Sequence, residues 1–204
     1  MNIISLTLVS YIFVMAVTPG PNNVLLAASG VNYGLRRTLP MAMGIALGGG
    51  FHCFASMLMF GQLFELVSII RLPIAVVGCL YLLWLAWQLF RAAAPESGEQ
   101  GRPLTFIQMV LFQWVNPKAW VMMLNMAALF MPEQGPLWSS AMLIGMTDAV
   151  VSLPCVLLWA WLGDRLRLVL QRPRHLLLFN GLMAVCLALT AAWLLLDEMR
   201  LLFT

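Results

Sequence analysis

The chain has 204 residues, 62% of them hydrophobic and only 9% charged, with a formal net charge of +3. A soluble domain carries roughly a quarter charged residues, so this composition marks an integral membrane protein, with six apolar runs of spanning length and no extramembrane domain. A nucleic-acid role, which needs an exposed basic face or domain, is excluded.

Span one, from about Ile3 to Val31, contains no charged residue. No basic n-region precedes it and no small-residue cleavage site follows, so it reads as a retained span and not a signal peptide. Inside it stands Thr18-Pro19-Gly20-Pro21-Asn22-Asn23. Pro19 and Pro21 have no N–H to give to the carbonyls of Met15 and Val17, and each disfavours α geometry at the residue before it. In hydrocarbon an opened backbone is tolerated only where protein buries it or a watery cavity meets it. The run is therefore either a packed kink or a polar site, and a site is the expectation.

Gly34-Leu35-Arg36-Arg37 connects to span two, about Leu39 to Phe64, where Gly44 and Gly48 continue into Gly49 and Gly50. That stripe allows close approach of a neighbouring helix. Span three runs from about Leu72 to Phe90, between Arg71 and Arg91, and a polar linker covers 92–103. Span four, about Leu104 to Met131, is broken again at Asn116-Pro117-Lys118. Span five, about Leu137 to Leu162, holds Asp148 and Pro154, and span six is about Leu176 to Leu196.

Eight of the eleven basic residues fall in three connections that can share one side: Arg36, Arg37, Arg91, Arg102, Arg165, Arg167, Arg172 and Arg174. Basic loops stay in the cytoplasm, so both termini are expected on the outer side of the membrane. The linker divides the chain into 1–91 and 104–204, each with three spans, and two odd-numbered halves insert in opposite directions. The expected fold is an all-α membrane protein of six transmembrane helices arranged as two inverted three-helix repeats, with helices 1 and 4 broken. Paired breaks in corresponding spans point to a substrate site at the bilayer midplane. Setting Pro21 against Pro117 also sets His52 against Asp148 and Gly49 against Gly145.

The freed carbonyls favour cations and the new helix starts favour anions, a combination that suits a zwitterion. Thr18, Pro19, Gly20, Pro21, Asn22, Asn116, Pro117 and Lys118 are the candidate substrate-binding residues, with Asn22, Asn23 and Asn116 also able to cap the helix starts. Lys118 and Asp148 are the formally charged residues deep in spans, and either a structural ion pair or proton coupling through Asp148 would account for them. His52 is the second proton-coupling candidate, although a hydrogen-bonded core histidine is the plainer reading. Cys53, Cys79, Cys155 and Cys186 lie in four different spans and read as small apolar packing residues. No cofactor is called for.

Thr18-Pro19-Gly20-Pro21-Asn22, Gly78 with Tyr81-Leu82 and Trp84, Asn116-Pro117-Lys118-Ala119, and Asn180-Gly181 together resemble the LysE/RhtB family of amino-acid efflux transporters over essentially the full length. The resemblance implies an exporter of amino acids or close derivatives driven by the proton gradient, most similar to the neutral and cysteine-type branch. Its partners would be a small amino-acid substrate and the lipid bilayer. Six short helices make a thin wall around a pathway, which argues for a homodimer. Competing readings are a metal or other ion exporter, a thiol-redox membrane protein built on a Cys53–Cys155 disulfide, and a purely structural membrane subunit.

Overall fold

The computed structural model describes residues 4–91, 102–132, 136–170 and 172–202. Among them are seven helices and no strand: α1 Leu6–Val17, α2 Pro21–Tyr33, α3 Leu35–Arg91, α4 Phe106–Val115, α5 Pro117–Phe130, α6 Leu137–Val169 and α7 Pro173–Leu202. Most of the 92–103 linker lies outside the described residues.

Both expected breaks are present. α1 ends at Val17 and α2 begins at Pro21 with a bend of 53° between them. Pro21 and Pro117 each occupy the first turn of a new helix, where a missing N–H costs nothing. Asn116 closes α4 and opens α5, and its side chain accepts from the Lys118 N–H at 3.2 Å.

The expected connection between spans two and three is different. Residues 35–91 are helical without interruption. A straight helix would carry Gly78 about 45 Å beyond Gly48. Yet Gly48 lies against Val110, and Gly78 lies against Val115, only about 7.5 Å further along the next helix. α3 therefore turns back on itself between these glycines, an interval that contains Pro73, which removes one helical donor and favours bending.

Among the described residues three stretches are long and apolar enough to cross a membrane, Leu35–Met59, Leu137–Val169 and Arg174–Trp193, and the bent α1–α2 pair makes a fourth. The expected count of six is not reached by length alone, because Val76–Arg91 and Phe106–Val115 are apolar but shorter. The outer surface suits hydrocarbon: Leu6, Phe13, Leu80, Leu111, Val150 and Leu178 are all more than half exposed.

The glycine stripe does what close spacing implies. A Cβ at Gly50 would stand 2.6 Å from the Gly145 carbonyl oxygen, and one at Gly145 would stand 2.6 Å from that of Gly50. The two longest helices, α3 and α6, thus cross backbone to backbone. Gly78 is tighter still, its missing Cβ pointing into the Val115 carbonyl. Gly78→Ala is expected to lower stability by roughly 1–3 kcal/mol through overpacking, read as a lower melting temperature in detergent.

Candidate functional site

The two breaks touch. Lys118, one residue into α5, sends its Nζ to the Thr18 carbonyl at 2.9 Å and the Pro19 carbonyl at 3.5 Å. Gly20 leaves room for it, since a Cβ there would lie 2.9 Å from Lys118 Cδ. Asn22 of α2 and Gln113 of α4 exchange amide bonds at 3.0 and 3.4 Å. Two carbonyls of one break are therefore met by the cation of the other, across about a hundred residues of chain.

Other side chains hold the first break open. Asn23 donates to the carbonyls of Ala16 and Thr18, both at 2.9 Å, and Trp159 of α6 donates to Val17 at 3.2 Å. Asn22 and Asn23 are thus not helix caps as expected. With Pro21 taking the first helical position, both already lie within α2, and Gly20 stands at the cap without a side chain to offer. Asn116 does cap α5, as expected.

A cavity of about 80 Å³ opens beside these groups, enough for several waters or a small solute. Gly20, Asn22, Asn116, Lys118, His52 and Asp148 all line it. Thr18, Pro19, Pro21 and Pro117 do not; Thr18 and Pro19 contribute the carbonyls that hold Lys118, and the two prolines shape the helix starts. The side chains of Gln113 and Ser152 also line the cavity, and sequence reasoning misses both. Gln113 carries a signal: it is a lone amide in an apolar run, three residues before the break. The apolar wall is rich in methionine, with Met15, Met122, Met123 and Met126.

Asp148 and Lys118 form no ion pair among the described residues, contrary to one of the two expectations. Lys118 is engaged by backbone carbonyls, and Asp148 Oδ1 has no hydrogen-bond partner. The carboxylate lies over Gly49, whose absent Cβ would sit 3.2 Å from Oδ2. His52 is also not the hydrogen-bonded core histidine expected: its ring is held edge-on between Trp114 and Trp120, both at 4.7 Å, and Nε2 has no partner.

All four cysteines are free thiols, so the Cys53–Cys155 disulfide is not formed. Cys53 faces the Met57 sulfur at 3.9 Å and Cys155 the Val151 carbonyl at 3.5 Å, each within its own helix. Among the described residues no three His, Cys, Asp or Glu side chains converge as metal ligands would.

A family profile described as "LysE type translocator" matches residues 13–198. The chain belongs to that family. The broken first and fourth segments, and the cavity between them, are therefore features of a LysE-type translocator. Cysteine/O-acetylserine efflux proteins are among its relatives: that of Klebsiella pneumoniae subsp. pneumoniae is 33% identical over 109 residues, and that of Escherichia coli K12 is 31% identical over 112. Each match covers 53% of this chain and 56% of the relative, so the matched region spans about half the length of these curated relatives. No solved structure matches.

Proposed function

We propose that this LysE-type translocator is a secondary transporter that exports small amino acids or close derivatives by proton antiport, with alternating access around the cavity between the two breaks. The observation that carries the reading is the Lys118 ammonium held by the Thr18 and Pro19 carbonyls at the cavity edge. There the starts of α2 and α5 and a cation offer a place for a carboxylate. Asp148 offers a counter-charge for an ammonium, and the methionine wall takes a small soft side chain. Cysteine and O-acetylserine, named for the relatives, both have this form.

In this reading the spans form two inverted three-helix repeats, 1–91 and 104–204, joined by a cytoplasmic linker at 92–103. The first part of α3, Leu35–Met59, and α6 are their equivalent central helices, and the mutual Gly50–Gly145 contact supports that pairing. Both termini would be periplasmic, in a bacterial inner membrane, and two copies would pair as a homodimer. No arrangement of soft or acidic ligands among the described residues supports metal export, which is the alternative.

Counterflow in proteoliposomes against labelled amino acids tests the function. Saturable exchange of cysteine under reducing conditions, and of other small neutral amino acids, is expected. Failure of every zwitterion to exchange would overturn the reading.

A further inference from the structure

Four buried polar atoms at the α3–α6 crossing have no hydrogen-bond partner among the described residues: His52 Nε2, Ser56 Oγ, Asp148 Oδ1 and Ser152 Oγ. Their residues are only 1%, 6%, 5% and 8% exposed. Buried polar groups in folded proteins are almost always paired, so four orphans in one place point to a ligand that pairs them.

Their order follows from the packing. Gly50 meets both Gly145 and Ala149, and Gly145 meets both Gly50 and Phe54, so α3 advances as α6 retreats and the helices run antiparallel. Ser56 is one turn beyond His52 on α3, and Ser152 is one turn beyond Asp148 on α6. The four therefore form a file: Ser152, Asp148, His52, Ser56. The first three line the cavity and Ser56 does not. Ser56 lies toward the end where neighbouring Cys53 and Met57 pack with Leu8 and Ile12 of α1. The two pairs also share a sequence offset. Ser56 and Ser152 are separated in sequence by the same interval as His52 and Asp148, and as Pro21 and Pro117.

We propose that this file is a proton-binding site and path that shares Asp148 with the substrate contacts, with Ser56 and Ser152 relaying the proton through bridging waters to and from the His52–Asp148 pair. The proposal rests on the exporter reading. Each hydroxyl can donate and accept, an imidazole nitrogen can take a proton, and one carboxylate sets a capacity of one positive charge. A sodium ion prefers a shell of oxygens, which an imidazole interrupts. The proton binds from the Ser56 side and leaves from the Ser152 side, with no bond made or broken elsewhere.

The other titratable groups around the file are already engaged. Cys53 of α3 faces the Met57 sulfur, Cys155 of α6 the Val151 carbonyl, and Lys118 of α5 the first break. Tyr11 of α1 donates to the Met122 carbonyl at 3.5 Å.

Ser56→Ala is the decisive variant, because it deletes a hydroxyl that has no structural partner and touches no proposed substrate contact. The full-length protein is placed in proteoliposomes with an entrapped pH dye and labelled cysteine under reducing conditions. Proton entry and pH-driven cysteine flux are expected to fall about tenfold, while cysteine counterflow, which moves no net proton, stays at the wild-type rate. Ser56→Thr, which keeps a hydroxyl, should restore coupling. Wild-type proton flux in Ser56→Ala overturns the proposal, as does an equal loss of counterflow, which would mean a packing role. Flux driven by a sodium gradient and lost in Ser56→Ala would overturn the proton assignment. Absence of counterflow in the wild-type protein would remove the exporter reading, and this proposal with it.

Discussion

Lys118→Met is expected to abolish amino-acid exchange and leave the protein folded. Methionine has nearly the same length and volume as lysine, so the space beside Gly20 stays filled. What goes is the ammonium that meets Thr18 at 2.9 Å and Pro19 at 3.5 Å. A hydrogen bond to a charged group contributes about 1.5–3 kcal/mol where water is excluded. The Thr18 carbonyl keeps its bond from Asn23 at 2.9 Å, and the cavity beside Lys118 has room for water, so the loss of stability should stay under about 1 kcal/mol. A substrate carboxylate has no such substitute, and losing its cation at roughly 2–3 kcal/mol corresponds to about 30- to 150-fold in affinity. Counterflow rates and the melting temperature in detergent, measured together, separate the two effects. Exchange at the wild-type rate in Lys118→Met would sink the proposed carboxylate site.

The breaks are legible in the sequence because proline acts locally: Pro21 and Pro117 start helices wherever the rest of the chain goes. The contact between them is not legible. Lys118 stands out in the sequence as a costly charge, and Asp148 is its obvious partner there because opposite charges pair. The backbone carbonyls of Thr18 and Pro19 at the first break are invisible as partners until the fold brings the breaks together. Gly44, Gly48 and Gly50 announce close packing without saying against what, and the structure shares them between α4 and α6. Ser56 and Ser152 escape notice because serine is common in membrane helices, and only burial without a partner sets these two apart. The uninterrupted helix through α3 is hidden for the opposite reason: the charges at Glu65 and Arg71 make the stretch between Phe64 and Leu72 look like a loop, although the backbone stays helical while it turns.

Replacing Pro19, Gly20 and Pro21 together with alanine should also abolish transport, for a reason that does not depend on which conformation results. If the segment stays extended, the new Cβ at residue 20 meets Lys118 Cδ at 2.9 Å and Nζ at 3.0 Å, and pushes the ammonium away from Thr18. Gly20 itself has an extended backbone, φ −173° and ψ 179°, which alanine adopts without strain, so the clash falls on the movable lysine. If instead the 53° bend straightens into one helix, the carbonyls of Thr18 and Pro19 turn to the N–H groups of Asn22 and Asn23 and no longer face Lys118. Stability should change by no more than about 1–2 kcal/mol. Alanine's helix propensity favours straightening, while the bonds from Asn23 to Ala16 and Thr18 and from Trp159 to Val17, each contributing about 1 kcal/mol, oppose it. Little relief comes from Pro21, which already sits at a first helical position where proline is favoured. Pro21→Ala alone should therefore remain active and serves as the control. A triple variant that folds, melts near the wild-type temperature and still exchanges amino acids at the wild-type rate would reduce the break to a packing kink, and the site between the two breaks would have to be given up.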